Sequence, residues 1–311
     1  MILFDLNNNE DDTLTYTSKK TFTKLKTSLK KIDIINCVNL DSIIVPKETE
    51  ELMFENCPEL IELPSKLNNL VQLNLENCES LVVIPKILPN LEILIIKNCD
   101  NIQQIPKEYF NLKKLTLDHC YNIKEIPKEL NNLNLINLKE CQKITNIPKE
   151  LVNLNNLLIK YCNNIKEIPK ELINLKELSI INCFNIKTIP KELINLSQLN
   201  LIYNNIEFIP KELQNLSSIY IKKCDKFNYI PNELNNVNEL FIIGCDKIVC
   251  IPFYNNLNNL VIINCNKIEK IPTYSNIDEL YIKKCEKIPD QIICSSDKDE
   301  LYFKLNYEYN D

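Results

Sequence analysis

Residues Leu157 to Glu177 read L-L-I-K-Y-C-N-N-I-K-E-I-P-K-E-L-I-N-L-K-E. Leu157 and Ile159 alternate with Leu158 and Lys160, the period-2 pattern of a strand with one buried face. A lone strand of this length cannot hide that face, but a stack of such strands can, because neighbours pairing at about 4.8 Å bury one continuous aliphatic column. Beyond the strand, Cys162 turns the chain inward, and Ile165 and Ile168 send two more apolar side chains to the interior. Pro169 has a fixed φ and no N–H, so it belongs to a turn or extended segment outside a sheet. Lys170-Glu171-Leu172 leaves room for one helical turn at most before the next strand.

The unit recurs. Proline stands at 46, 64, 85, 106, 127, 148, 169, 190, 210, 231, 252, 272 and 289, mostly at intervals of 21 residues. Cysteine keeps the same beat at 37, 57, 78, 99, 120, 141, 162, 183, 224, 245, 265 and 285, and Asn204 fills the one skipped position. A period in this range held for about 13 turns means a stacked array.

The L-x-L-x-x-C/N opening of each unit resembles the leucine-rich repeat superfamily. The C-x-x-I-x-x-I-P continuation, as in Cys162 to Pro169, is similar to the repeats of plant immune receptors, although the unit here is shorter. The resemblance implies an α/β-class leucine-rich repeat solenoid, a curved horseshoe with a parallel β-sheet on its concave face and short 3₁₀ or extended segments on its convex face. The array is expected over residues 31–289, between an N-terminal capping segment, 1–30, and a C-terminal one, 290–311. The stretch Asn8–Lys31 does not match the repeat. Ile2–Asn7 and Leu301–Asn306 echo the strand motif and are each expected to add a capping strand.

Composition narrows the function. The net charge of -6 is spread evenly, and all 36 basic residues are lysines, so no basic surface invites nucleic acid. The single glycine, Gly244, rules out glycine-rich phosphate loops. The abundant Asn, Ile and Lys are what an AT-rich coding sequence favours. No run approaches the roughly 18 apolar residues of a membrane span, and the first ten residues lack the basic start of a secretory signal. A cytoplasmic protein without membrane contact is the expectation.

The 14 cysteines invite a metal or redox interpretation. Twelve, however, share one repeat position, where a small buried group with weak hydrogen-bonding capacity serves the turn. Neighbours in that column stand about 5 Å apart, wider than an unstrained disulfide prefers, so a reduced ladder is expected. Without a C-x-x-C or a second histidine no zinc cluster is indicated, and no metal or other cofactor is expected. Cys245 and Cys250 are both expected in the core, and His119 in a solvated loop beside Cys120. No catalytic residue is assigned, and the protein is not expected to be an enzyme.

Alternate strand residues then form two outward columns. One runs Asp33, Met53, Asn74, Ile95, Thr116, Asn137, Leu158, Ser179, Asn200, Tyr220, Phe241, Val261, Tyr281 and Tyr302; the other runs Ile35, Glu55, Glu76, Lys97, Asp118, Lys139, Lys160, Ile181, Ile202, Lys222, Ile243, Ile263, Lys283 and Lys304. From Glu55 to Lys160 the columns are mostly polar with mixed charge, and from Ile181 onward they gain aliphatics and then aromatics. Ile202, Tyr220, Phe241, Ile243, Val261, Ile263 and Tyr281, bordered by Lys222 and Lys283, form one contiguous concave patch with the composition of an interface centre and its rim. The function expected is therefore a protein-binding scaffold that recognises a protein partner through this face. The alternative is a recognition subunit of a larger complex, such as a ubiquitin ligase or an immune-type receptor. The bland account is that β-branched and aromatic residues are simply good strand formers.

Overall fold

The computed structural model describes residues 7–8, 13–17, 29–64, 66–274 and 277–294. The chain divides into two compact units, Met1–Leu175 and Lys176–Asp311.

The first unit begins with a two-residue antiparallel edge, β1 (Asn7–Asn8), on β2 (Thr13–Thr17). The parallel strands that follow are β3 (Lys31–Ile35), β4 (Glu51–Glu55), β5 (Gln72–Glu76), β6 (Ile93–Lys97), β7 (Lys114–Asp118), β8 (Leu135–Lys139) and β9 (Asn156–Lys160). The second unit holds β10 (Glu177–Ile181), β11 (Gln198–Ile202), β12 (Ser218–Lys222), β13 (Glu239–Ile243), β14 (Asn259–Ile263) and β15 (Glu279–Lys283), all parallel. It ends with β16 (Gln291–Cys294), which runs antiparallel to β15.

Register follows the repeat without slippage. Leu117 pairs with Leu138 and Leu138 with Ile159 in the first unit, and Leu201, Ile221, Ile242 and Ile262 align in the second. All of these are buried, so each unit is a solenoid with a shared aliphatic interior. The far side of each coil is held by single i+3 turns, such as Leu130 N–H to Pro127 O at 3.2 Å and Leu133 N–H to Leu130 O at 3.1 Å. The helical half of the expected α/β class does not materialise: among the described residues there is no helix, because 21 residues are consumed by strand, turn and return. The stretch Asn8–Lys31 contributes β2 despite its poor match, pairing Leu14 with Ile32 and Tyr16 with Ile34. Ile2–Leu6 and Leu301–Asn306, expected to add capping strands, lie outside the described residues.

Every ladder cysteine is buried and in no disulfide, and Asn204 is buried in the skipped position. The thiols donate to strand carbonyls of the preceding coil: Cys120 Sγ to Ile96 O at 3.3 Å, Cys141 Sγ to Leu117 O at 3.4 Å and Cys224 Sγ to Leu201 O at 3.4 Å. Asn204 Nδ2 does the same for Ile180 O at 3.3 Å. One donor per coil is what this corner needs, and a thiol provides it at smaller volume than an amide. Cys250 corrects the expectation that it is core, for it is exposed. It stands immediately before Ile251, which points inward, so the extended backbone turns Cys250 to the solvent as it does Phe208 and Tyr229.

Between strand and cysteine lies a corner in the left-handed region. Asn36, Asn56, Asn77, Asn98, His119, Glu140, Tyr161, Asn182, Tyr203, Lys223, Asn264 and Lys284 have φ between 49° and 56°, and Gly244, the sole glycine, has φ 62°. The strain is offset because the corner N–H extends the ladder by one bond, as from Asn77 to Lys97 O at 3.0 Å and from Gly244 to Ile263 O at 2.8 Å. Four corner asparagines also chain together: Asn56, Asn77 and Asn98 each donate from Nδ2 to the preceding Oδ1 at 2.8, 2.6 and 2.8 Å.

Candidate functional site

The outward columns are built by the same register that builds the core. In the second unit Ser179, Asn200, Tyr220, Phe241, Val261 and Tyr281 pair in sequence, and beside them run Ile181, Ile202, Lys222, Ile243, Ile263 and Lys283. All nine residues assigned to the patch thus stand on one face in two adjacent columns. The Tyr220 and Phe241 rings lie 5.9 Å apart, and Lys283 Nζ sits 6.0 Å from the Tyr281 ring centroid, at the limit of a cation–π contact.

Their exposure departs from expectation. Most outward residues of the first unit are half-exposed, including the apolar Ile95, so β6 alternates between covered and open positions, although Lys160 on β9 is buried. In β12, β13 and β14 the alternation disappears and three or four consecutive residues are buried. Tyr220 is 3% exposed, Phe241 8% and Val261 0%, while Ile202 and Ile243 are also buried. Ile263, Tyr281 and Lys222 are half-buried, and Lys283 is exposed. The expected open patch is therefore a shielded one, with apolar side chains covered on both faces of the sheet.

The first unit carries a different surface. Lys97 pairs with Glu76 at 3.3 Å and Lys139 with Asp118 at 3.4 Å along the second column. These pairs are about one-third exposed and contribute little to stability. His119, at its left-handed corner, lies between Asp118 Oδ1 at 2.5 Å and Glu140 Oε1 at 3.2 Å, with Tyr121 donating to Glu140 at 3.2 Å. It is partly exposed rather than fully solvated, and no nucleophile adjoins it: Cys120 points inward. Among the described residues no group of three His, Cys, Asp or Glu side chains could hold a metal ion. Among them also, no helix is long and apolar enough to cross a membrane.

Solved structures share this architecture. A leucine-rich repeat protein of Leptospira interrogans superposes with a TM-score of 0.63 at 22% identity, covering 94% of this chain and 87% of its own. The chain has the leucine-rich repeat fold. An internalin of Listeria monocytogenes gives a TM-score of 0.52 at 18% identity over 74% of this chain and 79% of its own. No family model matches the sequence, and no curated protein matches it either. The leucine-rich repeat fold presents side chains in columns, and what those columns carry must be judged from this chain's own residues.

Two features of this leucine-rich repeat array escaped the sequence. The left-handed corner has no shared chemistry among its Asn, His, Glu, Tyr, Lys and Gly occupants, so spacing alone was the available signal. A second asparagine series closes the outer side of the coils: Asn90, Asn111, Asn132, Asn153 and Asn174 donate to the carbonyls of Asn68, Pro89, Phe110, Asn131 and Val152 at 2.7 to 2.9 Å. Its signal was present, because these asparagines recur every 21 residues before a leucine.

Proposed function

We propose that this protein is a non-enzymatic scaffold that binds a protein partner through the outward sheet face of its second unit. The observation that carries this is a change of character at constant architecture. The inward positions stay apolar throughout, as the core demands, whereas the outward positions, which the core does not constrain, pass from a mixed run of Asn74, Ile95, Thr116, Asn137 and Leu158 to Tyr220, Phe241 and Val261. Aromatic and aliphatic anchors next to one another, with Lys222 and Lys283 at the margin, are the composition of an interface centre. Strand propensity alone does not account for this, since the polar strands β5 and β7 form in the same register. A buried ladder of thiols outside any disulfide favours a reducing, cytoplasmic setting for the complex.

The test is recovery of a partner from lysate by the tagged full chain, identified by mass spectrometry, against two double variants. Phe241→Ser with Tyr281→Ser is expected to lower recovery of the dominant partner by at least about 30-fold, equivalent to two anchors of about 1 kcal/mol or more each. Asn74→Ser with Thr116→Ser, on the same face of the first unit, is expected to leave it unchanged. Equal recovery by the Phe241 and Tyr281 variant, with its circular dichroism intact, would defeat the proposal.

A further inference from the structure

A second change of character, on a different surface of the second unit, falls two residues before the repeat proline. That position is polar from Gln104 to Thr188 and then holds Phe208, Tyr229 and Cys250 in three successive coils. Phe208 pairs with Tyr229 through a parallel bridge, as Cys250 does with Lys270, and Asn228 N–H donates to Glu207 O at 2.9 Å. Coils are therefore paired on this flank too, and their side chains stand at the ladder spacing of about 4.8 Å. In the third of these coils Val249 precedes Cys250, and Phe253 follows the proline with its ring stacked on Tyr274 at 5.6 Å. Phe208, Tyr229, Val249 and Phe253 are 48 to 54% exposed, whereas Tyr220, Phe241 and Val261 on the sheet are at most 8% exposed. The large apolar side chains open to solvent in this unit thus include a group on its flank.

Lysines follow the same boundary. Just before the first inward side chain of their coils stand Asn101, Asn122, Asn164 and Asn205, each donating to a carbonyl of the preceding coil at 2.5 to 2.9 Å. In the coils of Tyr229 and Cys250 and the one after them, that position holds Lys226, Lys247 and Lys267, all exposed. A tie between coils is given up for a charge that, among the described residues, enters no ion pair. Lys226 and Tyr229 stand on either side of the inward Phe227, so the lysine row runs within about 10 Å of the aromatic row. Asp225 and Asp246 precede the lysines, away from the aromatic row in chain order, and Asp246 accepts from Asn266 N–H at 3.0 Å. Glu269 is taken up by Lys287 at 2.5 Å.

We infer that this flank docks a short extended peptide segment in which aspartate or glutamate alternates with aromatic or aliphatic residues. The apolar side chains of the segment lie on Phe208, Tyr229 and Val249, and its carboxylates reach Lys226, Lys247 and Lys267. Two ladder spacings are covered by three or four extended residues at about 3.3 Å each, so a short linear stretch of a partner is enough. A polyphosphate fits less well, because the net charge of -6 opposes it. The flank is separate from the sheet face proposed above, and its occupancy does not depend on that proposal.

The experiment offers the full chain a displayed library of random peptides. Selected sequences are expected to combine acids with Phe, Leu or Ile. The leading peptide, made synthetically and added at about ten times its Kd, is expected to slow alkylation of the exposed Cys250 by iodoacetamide about tenfold. This measurement uses the unaltered chain and so does not depend on how any variant folds. Phe208→Ser with Tyr229→Ser, and separately Lys226→Glu with Lys247→Glu, are each expected to weaken the peptide by at least about tenfold. Val152→Ser with Ile173→Ser, exposed apolar residues of the first unit, is expected to leave it unchanged. An empty selection, selected sequences without acids, an unaltered rate at Cys250, or an equal loss in the Val152 and Ile173 variant overturns the inference. Displacement of the peptide by an equal concentration of oligothymidylate would assign the flank to nucleic acid and overturn it as well.

Discussion

Replacing Leu138 by alanine is expected to destabilise the first unit by about 3 to 4 kcal/mol, measured by urea unfolding. Leu138 is completely buried on β8 and lies in register between Leu117 and Ile159. A cavity at that point collapses poorly, because parallel ladders on both sides hold the flanking backbones at fixed spacing. The neighbouring Leu158 provides the control. It is the same residue type one strand away, but it faces outward and is half-exposed, so Leu158→Ala is expected to cost less than about 1 kcal/mol. Similar losses for the two variants would mean that inward and outward positions had been assigned wrongly.

The second large effect is alkaline. Burial pushes the Cys224 thiol up to about 11 and the Cys245 and Cys265 thiols up to about 12, from an ordinary value of 9.0. Hydrogen bonding with Cys120, more than burial, lifts Cys141 to about 12, and burial raises the Tyr109 and Tyr254 hydroxyls as well. The sign follows from proton uptake. Between pH 9 and about 11 to 12 the unfolded chain has released protons that the folded chain keeps, so stability is complete below pH 9 and declines through that window. Each such thiol contributes a slope of about 1.4 kcal/mol per pH unit, and several act together. The urea midpoint is therefore expected to be flat from pH 6.5 to 8.5 and to fall steeply by pH 10.5, with Cys245→Ala reducing the slope by one thiol. A midpoint that does not change up to pH 10.5 would contradict the buried ladder.

The repeat was legible because two independent signals share one period. The aliphatic positions and the cysteine column mark the same corner of each coil, and Asn204 reveals what that corner requires because it offers the same donor. The asparagines were present but easy to attribute to base composition. In fact Asn111 and Asn132 close the outer side of the coils through backbone carbonyls, which is a structural demand of the repeat. Cys250 was misplaced because its neighbour in sequence, Cys245, obeys the ladder, whereas position within the coil decides burial. For the candidate site, period-2 alternation was enough to place Tyr220, Phe241 and Val261 side by side. Their burial was not readable, since period-2 alternation covers only one face of the strand.

The central claim is that successive coils stack so that one column of thiols is sealed inside. The most direct measurement is alkylation of the native full chain at pH 8, with modification of each cysteine followed by mass spectrometry over time. The account predicts rapid reaction at Cys250 while Cys99, Cys120 and Cys141 remain unmodified until urea unfolds the protein. Modification of those three at the rate of Cys250 in the folded protein would contradict it.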